Sequence, residues 1–257
     1  MIRIDVSEIK NWELIKKKHS EWYEKKILPN IKKAHTLLLS KKTKDDSIKK
    51  YKELLKKIIE RGENYVIEEE LFLGYDDDEI KNILDSIKKL KNDFKKSNLS
   101  EDYLPHKLFS YDEFPNHTGE WNRHKLLSLM EIEVCPYCQR NYISSFEEND
   151  DKRTTADLDH FYPKSLYPFL ALSLYNFIPS CQICNSRFKG TKDTYNSVYP
   201  YEESFDDLGA KFKTSKEIIY EILGEKDANF FVEIDYKNLK NKDREKVEKS
   251  IKHLGLD

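Results

Sequence analysis

The chain has 257 residues, of which 36% are charged and 12% aromatic, and its net charge is −2. That is length for one large domain or two small ones, and the composition excludes a disordered tail. No run approaches the ~18 apolar residues that a membrane-crossing helix needs, so a membrane protein is excluded as well.

The start, Met1-Ile2-Arg3-Ile4-Asp5, lacks the basic-then-apolar layout of a secretory signal. A cytoplasmic location with reduced thiols is therefore the expectation. The charge is unevenly spread: residues 1–60 carry 17 Lys/Arg against 9 Asp/Glu, whereas 61–80 carry one basic residue against eight acidic ones. The basic stretch reads either as solvated helix faces or as a surface for nucleic acid or a protein partner.

The first 130 residues read as a helical region. Residues 12–28 and 48–59 place apolar side chains three and four apart among lysines. Pro29 and the 41–46 cluster interrupt them, and Gly62-Glu63-Asn64 ends the second stretch. After Asp76-Asp77-Asp78-Glu79, the stripe Ile80, Ile83, Leu84, Ile87 and Leu90 predicts another amphipathic helix, with acids in its first turn and lysines in its last. Irregular chain follows over 103–118, then a short helix over 121–130. Beyond a chemical segment at 135–192, the stretches 218–223 and 230–234 look like short strands or strand-helix edges and 243–254 like a helix. Little follows Gly255-Leu256 to finish that last helix, which suggests a truncated or processed end.

The chemical segment holds all four cysteines, as Cys135-Pro136-Tyr137-Cys138 and Cys181-Gln182-Ile183-Cys184. Paired CxxC turns supply four thiolates for a structural zinc ion. Two disulfides or a redox pair are the competing readings, and a reducing compartment disfavours both. Between the pairs lies Asp157-Leu158-Asp159-His160, and Asn185 follows the last cysteine directly. On a strand, Asp157 and Asp159 share one face. Asp159 and the Asn185 carbonyl offer hard oxygen ligands suited to Mg²⁺ or Mn²⁺. His160 is free to act as a base, because a neutral imidazole titrates near working pH. An Asp-His dipeptide alone reads equally as an ordinary hydrogen-bonded pair.

CxxC, Asp-His, Asn176-Phe177 and CxxC-Asn with a lysine behind resemble, in that order, the HNH or ββα-metal endonucleases, in their subtype with a four-cysteine zinc knuckle. The resemblance covers about 60 residues. It implies an α+β chain, mostly α: a helical region at 1–130, an HNH nuclease core at 131–195 with structural zinc, and a mixed α/β extension at 196–257. It also implies Asp159 and Asn185 as ligands of a catalytic divalent ion, His160 as general base, and Asn176 as the brace of the histidine loop. Lys164 and Lys189 fall where basic residues meet the substrate backbone; Asp157 stays open between third ligand, outer-shell residue and plain strand residue. The long 146–153 insertion and the Leu166-Tyr167-Pro168-Phe169 run depart from the family pattern and leave the groove shape open. The runs Cys-Pro-Tyr-Cys-Gln-Arg and Leu-Asp-His-Phe-Tyr-Pro-Lys-Ser look, more narrowly, like the HNH subunit of Septu-type and retron-associated antiphage defence systems. That likeness implies an ABC-type ATPase partner and a nucleic-acid substrate, DNA ahead of RNA.

Other residues carry weaker signals. Arg140 and Arg187 are candidate phosphate contacts beside the motif. His106, His117 and His124 match no tight ligand spacing. Trp121, Tyr137 and Tyr142 suit either base stacking or core packing.

Overall fold

The computed structural model describes residues 1–148, 151–214 and 232–256. The expected strand at 218–223 lies outside the described residues. The chain is α+β, with long helices in the first hundred residues and, among the described residues, three separate antiparallel strand pairs after them. No helix among the described residues is long and apolar enough to cross a membrane.

Helices α1 (Trp12–Lys26), α2 (Leu28–Ser40), α3 (Asp46–Arg61) and α4 (Asp77–Lys96) form the first layer. Where the sequence reading has Pro29 merely interrupting a helix, it sits in the first turn of α2, a position with no intrahelical N–H partner to lose. Gly62 ends α3 at φ 59°, a conformation an L side chain resists. A capping box opens α4: the Asp76 carboxylate accepts from the Glu79 N–H at 2.9 Å, and Glu79 accepts from the Asp76 N–H at 3.0 Å. Tyr51, Leu54, Leu55 and Ile58 of α3 and Ile80, Ile83, Leu90 and Phe94 of α4 are buried where the two helices pack.

The connection to the chemical segment runs through α5 (Pro105–Leu108) and α6 (Arg123–Met130). Strands β1 (Ser145–Glu148) and β2 (Asp151–Thr154) pair antiparallel, so the described parts of the 146–153 insertion, 146–148 and 151–153, are strand. Strand β3 (Ala156–His160) pairs antiparallel with β4 (Phe177–Cys181), with Asp159 opposite Ile178 and His160 opposite Phe177. A π-helical turn, Ile183–Lys189, follows at once. The helix α7 (Phe205–Leu208) and the pair β5 (Lys211–Thr214) and β6 (Val232–Asp235) lead to α8 (Asn241–Leu254).

The expectation that little finishes α8 is corrected. Gly255 takes the left-handed conformation and donates to the Ile251 carbonyl, which the Leu256 N–H also reaches at 3.2 Å. A Cβ at Gly255 would lie 3.0 Å from the Phe188 ring, so a larger residue there would press on the π-helical turn as well as strain the left-handed backbone.

One contiguous core joins these layers. The helical layer is tied to the strand pair by polar bonds as well as by apolar contact. The Tyr65 hydroxyl donates to the Phe169 carbonyl at 2.6 Å, and the Trp12 indole to the Tyr175 hydroxyl at 3.3 Å. His19 of α1 is fully buried, 2.8 Å from the Leu172 carbonyl through Nε2 and 3.0 Å from the Trp121 indole through Nδ1. An indole only donates and a carbonyl only accepts, so His19 is neutral with its proton on Nε2.

Burial lowers the His19 pKa to about 4, against its hydrogen bond to Leu172. A depressed folded-state value means the unfolded chain binds the extra proton first, so stability present above pH ~6.5 is lost as pH falls towards the folded value. The stability difference between wild type and His19→Gln is expected to shrink by about 2 kcal/mol between about pH 7 and 5. Urea midpoints of both proteins across that range measure it; a constant difference would refute the neutral assignment.

Candidate functional site

The first CxxC lies on a tight turn. The Cys135 carbonyl accepts the Gln139 N–H at 2.9 Å, Gln139 takes φ 56°, and the chain folds back so that the Asn141 carbonyl accepts the Cys135 N–H at 3.0 Å. The second CxxC begins where β4 ends and runs into the π-helical turn. All four sulfurs lie within 4.8 Å of one another, with Cys138 and Cys181 at 4.0 Å, and all four cysteines are free. A disulfide needs about 2.05 Å. Tetrahedral zinc with bonds of about 2.3 Å sets sulfurs roughly 3.8 Å apart, so the cluster has the dimensions of a Cys₄ metal site.

Donors converge on those sulfurs. The Asn141 carboxamide reaches Cys181 at 3.2 Å, and the N–H groups of Arg140 and Cys184 reach Cys138 and Cys181 at 3.4 and 3.5 Å. Such donors offset thiolate charge and orient the ligands. The thiols of Cys135 and Cys184, followed by the Arg140 backbone, hold Cys138 far below the ordinary thiol range. Asn141 drew no attention as a single residue in the sequence; its position three after Cys138 is the signal that could have found it.

Asp157 and Asp159 face the π-helical turn from one side of β3, and the turn answers with Asn185 and Lys189, four residues apart. The Asn185 carboxamide donates to Asp157 at 3.0 Å. Lys189 donates to Asp159 at 3.1 Å and to the His160 carbonyl at 2.5 Å. The Tyr137 hydroxyl takes the other Asp159 oxygen at 2.6 Å. The structure thus brings Asn185 to Asp157, whereas the resemblance pairs it with Asp159.

The Asp159–Lys189 pair is deep, at 4% and 1% exposed. Burial drives the Asp159 carboxyl up to about 6, against the pull of Lys189 and Tyr137, and burial lowers Lys189 as well. Lys189, expected to meet substrate, has its ammonium enclosed and paired in this structure. The candidate cations that do face solvent are Lys164, Arg140 and Arg187, none with an acidic partner among the described residues.

His160 is 7% exposed and donates through Nε2 to the Ala171 carbonyl at 2.9 Å, which leaves the Nδ1 lone pair without a hydrogen-bond donor among the described residues. Burial lowers its pKa to about 3, and the charges of Lys164, Lys189 and Arg123 push the same way. The imidazole is therefore neutral at neutral pH. Tyr111 stands edge-to-face against it at 4.4 Å, with the Arg123 guanidinium 3.6 Å over the Tyr111 ring and the Lys164 ammonium at 4.8 Å. Asn176 is fully buried and saturated: its carboxamide donates to Tyr162 and Leu170 at 3.1 and 3.0 Å and accepts from the Tyr162 N–H at 2.7 Å. Tyr111, Asn116, His117, Arg123, Asp157 and Asn185 share the walls of a cavity of about 370 Å³.

The remaining candidates separate. Among the described residues only the four cysteines cluster as a metal-binding group, which leaves His106, His117 and His124 without a site of their own. His124 instead donates to the Phe146 and Arg153 carbonyls, holding the β1–β2 pair. Trp121 and Tyr137 are core residues, and Tyr142 is 85% exposed.

The chain is similar to the Septu protein PtuB of Bacillus thuringiensis, at 34% identity over 70 residues. That stretch is 26% of this chain and 24% of the relative, so the chain spans about a quarter of the curated relative it matches. No protein-family model and no solved structure matches it.

Proposed function

We propose that the chain is a metal-dependent endonuclease that hydrolyses phosphodiester bonds of nucleic acid, DNA ahead of RNA, as the nuclease subunit of an antiphage defence complex with an ABC-type ATPase. Residues 131–195 would be its HNH core, with β3, β4 and the π-helical turn as the ββα unit. Residues 1–130 would dock the partner or the substrate, and 196–257 would brace the core. The likeness to a Septu protein supports the defence setting.

One observation carries the chemistry. His160 is held neutral, with Nε2–H fixed on Ala171 and Nδ1 without a donor among the described residues, one residue from a carboxylate face that meets Asn185. Nδ1 would take the proton of a water attacking phosphorus. Tyr111 would limit the approach to that atom, and Lys164 and Arg187 would hold phosphate oxygens. Asn176 keeps the 162–170 loop in place.

The oxygen donors fit a hard divalent ion: Asp157 and Asn185 are in contact and border the same cavity, whereas both Asp159 oxygens are taken. Asp157 and Asn185 would hold Mg²⁺ or Mn²⁺, which supplies neutralisation of the charge that develops on the phosphoryl and leaving oxygens. Asp159, expected as the first ligand, would serve through its pair with Lys189. Mn²⁺ titration calorimetry should find affinity lowered at least about tenfold in Asp157→Asn and Asn185→Ala; unchanged affinity in both would remove this ligand assignment.

The test of function is a plasmid-nicking assay with Mg²⁺ or Mn²⁺, run with and without the ATPase. His160→Ala is expected to lose about 10²- to 10⁴-fold in rate while keeping its zinc. Equal cleavage by both proteins would sink the catalytic assignment and leave a non-catalytic zinc module.

A further inference from the structure

Four consecutive carbonyls, from Phe169 to Leu172, each accept a hydrogen bond from a different side chain. Tyr65 takes Phe169 at 2.6 Å, Asn176 takes Leu170 at 3.0 Å, His160 takes Ala171 at 2.9 Å and His19 takes Leu172 at 2.8 Å. Two of these donors come from the strand-pair segment and two from the helical layer. The carbonyl that orients His160 is therefore adjacent to the one that His19 holds.

We infer that His19 is a positioning residue for His160, acting through the Ala171–Leu172 peptide. The inference rests on the reading of His160 as the base. The two imidazoles share one tautomer for the same kind of reason: each Nε2–H is fixed on a backbone carbonyl. In His19 the other nitrogen is also fixed, by the Trp121 indole at 3.0 Å, so the ring cannot turn without orphaning a buried donor. A second route of contact runs through Phe177, which pairs with His160 across the strands and lies 5.3 Å from its ring and 6.0 Å from that of His19.

The physical consequence is specific. Ala171 follows the short turn Pro168–Leu170 and donates its N–H to the Pro168 carbonyl at 3.1 Å, while no backbone N–H among the described residues reaches its own carbonyl. With Leu172 pinned by His19 and Leu170 by Asn176, the carbonyl between them has one direction. Loss of the Leu172 bond lets that peptide rotate, the His160 Nε2–H loses its acceptor, and the ring then samples both tautomers. Only one of them leaves Nδ1 able to take a proton, so rate falls while substrate binding does not.

The experiment compares wild type, His19→Phe, His19→Gln and Trp121→Phe, each with zinc content and thermal melting checked first. Ring-nitrogen NMR, with His160 signals identified by their absence in His160→Gln, reads the tautomer without any need for activity. His19→Phe is expected to convert His160 from a single Nε2–H tautomer to a mixture and to lower kcat about tenfold to a hundredfold at unchanged KM. His19→Gln, whose carboxamide N–H reaches Leu172 and whose oxygen faces Trp121, is expected to restore the single tautomer and most of the rate. If His19→Phe fails to fold, Trp121→Phe, which frees only Nδ1, is expected to move the His160 signals in the same direction. A folded His19→Phe or Trp121→Phe with His160 signals unchanged overturns the inference, as does a His19→Gln variant no better than His19→Phe. A wild type that cuts nothing, with the tautomer change still seen in His19→Phe, would refute the nuclease reading and leave the positioning intact.

Discussion

Removal of zinc by a strong chelator is expected to unfold the 131–195 segment, and Cys138→Ser is expected to do the same at 37 °C without chelator. The reason lies in how little regular sheet holds the first knuckle, which apart from the buried Tyr137 and a few backbone bonds is closed by its sulfurs. Val134 and Tyr142 make one isolated bridge, not a ladder, and the Cys135–Gln139 turn depends on a left-handed residue that is not glycine. Without an ion, four sulfurs within 4.8 Å of one another either repel as thiolates or bury thiols against donors aimed at them. Structural zinc contributes about 10–16 kcal/mol in small zinc modules, against about 5–15 kcal/mol of total stability for a domain. Cys138 is the least buried of the four, so its replacement by serine tests ligation with little loss of packing. Far-UV circular dichroism and metal analysis before and after chelation, with zinc added back, measure the effect. An unchanged melting curve in the metal-free protein would show that the cysteines are packing residues.

Much of the architecture is legible in the sequence because it is local. The apolar stripes at 48–59 and 80–90 name the buried faces of α3 and α4, and the acidic run at Asp76 marks the capping box. The four cysteines announce their cluster through spacing alone. Helix α2 escapes because Pro29 reads as a stop, although proline is equally suited to a first turn. What the sequence hides is register. Whether Asn185 meets Asp157 or Asp159 depends on how a π-helical turn advances against a strand, and one residue type at each position fits both pairings. His19 is hidden for a related reason: its partner is a backbone carbonyl 153 residues away, and a backbone acceptor leaves no trace in residue identity.

Lys189 is where the two readings differ most, and the difference can be measured. As a substrate contact, Lys189→Met would raise KM and flatten the salt dependence of binding by about one charge, with stability nearly unchanged. As the buried partner of Asp159, the same change leaves a carboxylate enclosed with only Tyr137 to answer it. Breaking one side of such a pair costs about 3–5 kcal/mol, more than the pair itself contributes relative to apolar residues of the same size. Asp159→Asn alone should be less damaging, since an asparagine can still accept from Tyr137 and the Lys189 ammonium keeps the His160 carbonyl. The double variant, Asp159→Asn with Lys189→Met, should then recover part of what Lys189→Met loses, and the cycle isolates the coupling. The pH dependence adds a sign. Asp159 already has a raised pKa, so the folded protein holds its proton longer than the unfolded chain, and its stabilising effect is present at low pH and fades as pH rises through about 6. With the ammonium gone the carboxyl moves further up, and Lys189→Met should lose its stability chiefly on the alkaline side of that window. Urea midpoints for the four proteins at low and neutral pH decide the matter: additive losses that do not vary with pH would show that Lys189 and Asp159 act separately.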